Sequence, residues 1–366
     1  MRIAYVLTSL GVGGAERQVV ALAERMEARG HVVSLIVLLP RQSEEWPTTL
    51  DVVRLDTHKN PVSFLECLRK ARRFLGVFQP ELIHSHTCPA NIAARLLNLR
   101  RHMAPIISTI HNIYEGPWAR MLAYRLTDPL SRRSTAVSQA AADRFVRLKA
   151  VPASKCSVLT NGIDTAEFAP NLERRERLRT QMGLQNEFVW LAAGRITPAK
   201  DYPNLLRAFC EVHGATPATR LWIAGEAFGA ESAVVQALAD ELRLGNAVSW
   251  LGLRRDMPAL LDAADGFVLA SAWEGMPLAV GEAMAMEKPV VATDVGGVRE
   301  LVGEAGVIVA AKSPERLAQA MLDLMESKPE VRRALGRAAR ERIQSLFSMD
   351  AKADEWEALY RAELAR

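Results

Sequence analysis

The run Ala272-Trp273-Glu274-Gly275-Met276-Pro277-Leu278-Ala279-Val280-Gly281-Glu282-Ala283 places two carboxylates eight positions apart, Glu274 in a loop and Glu282 about two turns inside the helix that follows. The N-terminus of that helix falls between them. Free backbone N–H groups and the positive end of the helix dipole gather at such a start, and a phosphate suits them best. With an acid on each side of a bound anion, the arrangement fits a sugar joined to a nucleoside through a diphosphate. Glu274 would accept hydrogen bonds from sugar hydroxyls and Glu282 from ribose hydroxyls. The spacing fits a solvated helix start with two surface glutamates equally well, because proline opens many helices for structural reasons alone.

Gly194-Arg195-Ile196-Thr197-Pro198-Ala199-Lys200-Asp201 sets a guanidinium and an ammonium five positions apart on one loop. Both can reach a diphosphate and stabilise the negative charge that builds on a leaving group. Gly11-Val12-Gly13-Gly14-Ala15-Glu16 follows the first apolar run and opens a helix. Its glycines Gly13 and Gly14 let the backbone approach a diphosphate or an acceptor. A nicotinamide cofactor is disfavoured, since the second run ends Val37-Leu38-Leu39-Pro40 where a dinucleotide fold needs an acid for the ribose.

His84-Ser85-His86 and Thr109-Ile110-His111-Asn112 end two further runs. Three imidazoles are enough for zinc in principle. No carboxylate accompanies them in sequence and no Asp-x-Asp pair occurs, so no metal is expected. His111 reads as a donor to a sugar hydroxyl or to developing charge, while His84 and His86 read more readily as structural. Ile223-Ala224-Gly225-Glu226 and Trp250-Leu251-Gly252-Leu253-Arg254 also end runs with glycine. Backbone groups at Gly225 and Leu253 would bind a nucleobase edge, though packing explains the glycines nearly as well. Asn161-Gly162-Ile163-Asp164 reads as a turn at a hinge, and Thr293-Asp294-Val295-Gly296-Gly297-Val298-Arg299-Glu300 as a strand-loop-helix turn with no chemical role.

These motifs need strands ending beside helix starts, and the chain supplies them. Short β-rich runs alternate with helical patterns, the signature of parallel sheets covered by helices. Strands are expected over residues 3–8, 32–39, 52–55, 82–86, 106–110, 135–138 and 157–160, with helices over 15–29, 62–78, 90–99 and 117–133. The alternation restarts with strands over 188–193, 221–224, 248–251, 266–270, 290–293 and 307–309. Residues 174–181 are charged and fall where a linker would be, and the chain from Pro329 onward is helical and rich in charge. The expected class is α/β, with two doubly wound, Rossmann-like domains facing a cleft. Their spans are residues 1–165, a linker over 166–186, residues 187–345, and a last helix over 346–366.

A length of 366 residues and 49% hydrophobic content suffice for two cores. No apolar run approaches the roughly 20 residues that cross a bilayer, and Met1-Arg2-Ile3-Ala4-Tyr5 reads as a strand, so a cytoplasmic protein is expected. Cys67, Cys88, Cys156 and Cys210 lie far apart, which suggests neither disulfides nor a zinc site. The net charge of +4 hides an asymmetry. Residues 1–165 hold 22 lysines and arginines against 13 carboxylates, and the remainder 24 against 29. Clusters at Arg69-Lys70-Ala71-Arg72-Arg73, Arg100-Arg101-His102 and Arg132-Arg133, with Trp118 to Arg125 between the last two, suit an anionic membrane surface. They are equally read as solvated arginine-rich helix faces. Nucleic acid is not an expected partner, because no binding module accompanies the charge.

Taken together, Gly13-Gly14-Ala15-Glu16, His111, Asn161-Gly162-Ile163-Asp164, Arg195 with Lys200, Ile223-Ala224-Gly225-Glu226, and Glu274 to Glu282 resemble the retaining GT-B glycosyltransferases of family 4, the glycosyl transferases group 1 type. The resemblance covers almost the entire chain. It implies Arg195 and Lys200 at the diphosphate of a UDP- or GDP-sugar and Glu274 at the transferred sugar. It places Gly275, Met276 and Leu278 as backbone donors and Glu282 at the ribose. It further implies metal independence, no cofactor besides the donor, and a C-terminal helix crossing back to the first domain. Asp201 departs from the glycine that many relatives carry. The resemblance implies sugar transfer to a saccharide or lipid-linked hydroxyl with retained configuration and favours front-face attack; no second carboxylate stands out as a nucleophile of the kind retaining glycosidases use. Peripheral attachment to the inner face of a membrane would accompany it. A nucleotide-sugar epimerase of the same architecture and a silent nucleotide-sugar-binding protein are the rival readings.

Overall fold

The computed structural model describes residues 1–41, 44–58, 60–99, 103–226 and 229–366. The basic cluster Arg100-Arg101-His102 lies outside the described residues. The apolar runs become two parallel sheets. The first holds β1 (Arg2–Leu7), β2 (Val32–Val37), β3 (Val52–Arg54), β4 (Leu82–His86), β5 (Ile106–Ile110), β6 (Arg133–Ala136) and β7 (Cys156–Val158), in the order 3-2-1-4-5-6-7. The second holds β8 (Phe188–Ala193), β9 (Thr219–Ala224), β10 (Val248–Gly252), β11 (Gly266–Leu269), β12 (Val290–Thr293) and β13 (Val307–Val309), in the order 10-9-8-11-12-13. Every neighbouring pair is parallel. Helices cover the faces of such sheets, so central strands such as Phe188–Ala193 read as unbroken apolar runs without alternation.

The chain divides into unit 1, residues 1–162 with 349–366, and unit 2, residues 163–348. The core of unit 1 gathers Ile3, Tyr5, Leu7, Val19 and Leu35 with Ala353, Trp356 and Tyr360 of the last helix, Met349–Leu364. That of unit 2 gathers Trp190, Leu206, Phe209, Ile223, Leu317 and Met321.

The expected linker over 166–186 is instead part of unit 2. Its charged stretch is the helix Leu172–Gln181, anchored by ion pairs of Arg174 with Asp262 and of Arg175 and Arg179 with Asp265. The helix expected over 117–133 ends early. It spans Trp118–Thr127 and passes into a 3-10 turn at Asp128–Leu130, because Pro129 has no N–H to continue the helical hydrogen-bond ladder. The strand expected over 135–138 accordingly begins at Arg133, and Ser138 caps the next helix, its hydroxyl accepting the Ala141 N–H.

Several cations of the basic first half are paired with carboxylates of the last helix, Met349–Leu364. Arg132 and Arg133 meet Glu363 at 3.4 and 2.5 Å. Arg25 and Arg29 pair with Asp350, Asp354 and Glu357.

Candidate active site

In each sheet the strand order reverses beside the first strand, between β1 and β4 and between β8 and β11. Ligands of open α/β sheets bind beyond the carboxyl ends of the strands at that reversal. In unit 2 the loop after β8 carries Arg195 and Lys200, and the loop after β11 carries Glu274. Lys200 Nζ donates to Glu274 Oε1 at 2.7 Å, and the Ser271 hydroxyl donates to the same oxygen at 2.7 Å. Two residues 74 positions apart thus form one ion pair at the expected edge.

Glu274 and Glu282 are 7% and 3% exposed, which excludes two surface glutamates. Glu282 sits about one turn inside the helix Leu278–Ala285, nearer its start than the two turns expected, because Pro277 is the residue before the helix and Leu278 its first. Pro277, at the N-cap position, offers no side-chain cap to that first turn. Gly275, Met276 and Leu278 lie in the approach to it. Arg195 is exposed and, among the described residues, pairs with no carboxylate. It is thus available to an anion from solution.

The loops carrying these groups are braced by residues with no evident chemistry. Ala272 N–H donates to Ala199 O at 2.8 Å, joining the two loops, and the Thr293 hydroxyl donates to Ser271 O at 2.7 Å. Tyr202 donates to Gly194 O at 2.6 Å, and burial, with the Glu274 charge adding, holds its hydroxyl protonated. The turn Thr293 to Glu300, given no chemical role from sequence, supports the acid itself. Gly297 N–H donates to Gly275 O at 2.8 Å, and Gly296 adopts φ +54° where a Cβ would collide with the Glu274 carbonyl. Asp201 also takes a left-handed conformation, φ +46°, which glycine adopts without steric cost.

Gly194 N–H donates to Ala224 O at 2.9 Å and Gly225 N–H to Gly252 O at 2.8 Å. Three glycines therefore line the adjacent ends of β8, β9 and β10, and a Cβ on Gly225 would run into the Gly194 carbonyl. The result is a glycine ledge with the Lys200 side chain against Gly194 at one end and Leu253 half-buried at the other. A flat ring can lie on such a surface.

In unit 1 the three histidines are not equivalent. His84 is fully buried and both ring nitrogens are bonded at 2.7 Å, to Tyr360 and Thr109. His86 is 2% exposed and bonds His111 across 3.0 Å. His84 and His86 are tied into the interior, as a structural role requires, and only His111 is partly exposed. Burial lowers all three, His111 to about 4, so the cluster is neutral at physiological pH. Among the described residues no three His, Cys, Asp or Glu side chains are placed to share a metal ion.

The Glu115 carboxylate, four residues on, accepts the His111 backbone N–H at 2.9 Å and does not join the imidazoles as a ligand. At Gly13 and Gly14, which open the helix Gly14–Ala28, the Glu16 carboxylate folds back on Gly13 and accepts the Ser9 hydroxyl at 3.0 Å.

Residues 12–167 match the sequence model of the family described as Glycosyltransferase Family 4, and residues 174–342 that of Glycosyl transferases group 1. The chain belongs to the group 1 glycosyltransferases. This glycosyltransferase is 32% identical over 302 residues to D-inositol 3-phosphate glycosyltransferase of Segniliparus rotundus, covering 77% of the present chain and 66% of the relative. It is 24% identical over 314 residues to UDP-Gal:alpha-D-GlcNAc-diphosphoundecaprenol alpha-1,3-galactosyltransferase of Escherichia coli, covering 82% and 79%. Among solved structures it superposes on HepE of Anabaena, crystallised with UDP and glucose, with a TM-score of 0.87 at 21% identity over 99% and 100% of the two chains. The fold is GT-B.

Proposed function

We propose that this glycosyltransferase moves a sugar from a nucleotide-diphosphate sugar to a hydroxyl acceptor, retaining the anomeric configuration and requiring no metal ion. The Lys200–Glu274 pair carries this reading, because it sets an ammonium for the diphosphate against a carboxylate for the sugar at the reversal of the unit 2 sheet. Arg195 joins Lys200 at the diphosphate. Gly275, Met276 and Leu278 offer backbone N–H groups, and Glu282 takes the ribose. The glycine ledge ending at Gly225 and Leu253 takes the base. His111 donates to a hydroxyl, and Gly13 and Gly14 border the acceptor.

On this account the acceptor oxygen bonds to the anomeric carbon on the face from which the phosphate departs. The acceptor proton passes to the leaving phosphate oxygen, and Arg195 and Lys200 stabilise the charge left there. A UDP-glucose complex of HepE and the UDP-Gal named for the Escherichia coli relative support a UDP-sugar donor. The same relative is named for a diphosphoundecaprenol-linked sugar, and WaaG, a glycosyltransferase of this fold, is involved in lipopolysaccharide biosynthesis. Both support a place in cell-surface polysaccharide or glycolipid assembly.

Nucleotide-sugar panels test the reading. One UDP- or GDP-sugar is expected to raise the melting temperature, since a ligand at 100 times its Kd adds about 2.7 kcal/mol. With an acceptor and EDTA present, NMR is expected to show a product of unchanged anomeric configuration. Inverted product would remove the retaining mechanism, and conversion of the nucleotide sugar without acceptor would favour the epimerase.

The reading also places the enzyme at an anionic membrane surface in the cytoplasm. No described helix is long and apolar enough to cross a membrane. The helix Trp118–Thr127 instead exposes Trp118, Leu122 and Leu126 at 76%, 42% and 70%, four residues apart, with Arg120 and Arg125 beside them. Such a stripe buries its apolar side chains at the headgroup boundary and its cations among anionic lipids. Sedimentation with anionic liposomes at low salt is expected, weakened by Trp118→Glu; protein left in the supernatant would end this part of the proposal.

A further inference from the structure

We infer that Glu115 is the positioning residue that holds the His111 loop in its working conformation, acting through the backbone and not on substrate. This rests on the reading of His111 given above. The loop leaves β5 at Ile110 and reaches the helix Trp118–Thr127 within seven residues. Inside it the Glu115 carboxylate curls back on its own chain. Oε1 accepts the His111 N–H at 2.9 Å, and Oε2 accepts the Tyr124 hydroxyl at 2.8 Å.

Those donors are themselves fixed. The Tyr124 oxygen accepts Asn91 Nδ2 at 2.7 Å, and the same nitrogen donates to Thr109 O at 2.9 Å. The Arg95 guanidinium, fully buried, stands 5.0 Å from the Tyr124 ring centroid and donates to the Tyr124 carbonyl at 3.1 Å and to Ser134 Oγ at 2.8 Å. On the ring side, His111 Nε2 meets His86 Nδ1. His111 is thus held at its main chain by Glu115 and at its ring by His86. Its Nδ1 has no partner among the described residues.

An ionised acceptor forms the stronger hydrogen bonds, but burying it is costly unless both oxygens are satisfied. Both are. Protonation would turn one oxygen into a donor, force the bond with the Tyr124 hydroxyl to break or reverse, and leave the His111 N–H on a neutral, weaker acceptor. The groups facing Glu115 are Cys88 and Arg95 of the helix Cys88–Leu97, Tyr124 and Arg120 of the helix Trp118–Thr127, and His111 and Asn112 of the loop. Burial raises the Glu115 carboxyl to about 7 and the Cys88 thiol to about 12, raises Tyr124 as well, and lowers His111 to about 4. Glu115 is therefore the member of this cluster that changes charge near neutrality.

The test uses ¹⁵N-histidine-labelled full-length protein, with the His111 amide assigned by its disappearance in His111→Asn. In the wild type that amide is expected to shift with a midpoint near pH 7, and Glu115→Gln is expected to abolish the shift. The same variant is expected to lower kcat about 10-fold or more with donor KM unchanged, the scale of a small misplacement of a reacting group. A wild-type amide that stays still through neutral pH, or wild-type kcat in Glu115→Gln, would overturn the inference; the wild-type titration decides even if the variant fails to fold. Unchanged turnover in His111→Asn would instead sink the role of His111, and the wild-type amide would still report separately whether Glu115 anchors the loop.

Discussion

Lys200→Ala is expected to lower kcat about 10²-fold or more, the scale for losing one preorganised group that stabilises developing charge. The ammonium lies 2.7 Å from Glu274, and the two side chains are only 21% and 10% exposed. Solvent screening there is weaker than at a surface pair. The charge Lys200 presents to a leaving phosphate is correspondingly strong. Removing it also leaves Glu274 with the Ser271 hydroxyl as its remaining donor among those described above. Truncating one partner of a buried pair costs about 3–5 kcal/mol, and this partly exposed pair should cost less. Lys200→Arg is not a safe substitute, because a planar fork replaces a point charge. Steady-state kinetics on the identified donor, with melting temperature as a fold check, decides the matter. A folded variant with undiminished turnover would take Lys200 out of the mechanism.

Gly296→Ala is expected to destabilise the protein by about 3 kcal/mol, combining a left-handed backbone forced on a residue with a side chain and overpacking against fixed neighbours. The added carbon would meet the Glu274 carbonyl within 3.0 Å, and Gly275 O lies close behind. Neither is the movable end of a side chain. The loop holding Glu274 must shift, so activity should fall together with stability. Gly214, inside the helix Tyr202–Ala215 of the same unit, is the control. Nothing lies within 4 Å of its missing Cβ, and alanine there should be neutral or stabilising. Equal denaturation midpoints for Gly296→Ala and the wild type would contradict the packing described.

What is legible in the sequence is whatever announces itself locally. Unbroken apolar runs mark the strands, and glycines and charges at their ends mark the loops, so Lys200 and Glu274 stand out without any knowledge of their contact. Ser271, Tyr202 and Gly296 do not. Each acts on a residue from another segment through a single bond or a forbidden contact, and nothing about a lone serine, tyrosine or glycine reports that. Glu115 escapes for a related reason, since its partners His111 and Tyr124 become neighbours only when the loop folds back. The helix Leu172–Gln181 reads as a linker because it shows almost no apolar face, none of its residues being buried. Ion pairs to Asp262 and Asp265 hold it in place, and hydrophobic periodicity is blind to those.

Unit 2 is one continuous segment, whereas unit 1 is closed by residues 349–366. His84 and Tyr5 both bond Tyr360 inside unit 1, at 2.7 and 3.1 Å. A chain emerging from the ribosome therefore delivers the first sheet early and its last layer only after all of unit 2. Unit 2 can finish folding while Tyr5 and His84 still wait for Tyr360, an inversion of the usual vectorial order in which the earlier domain matures first.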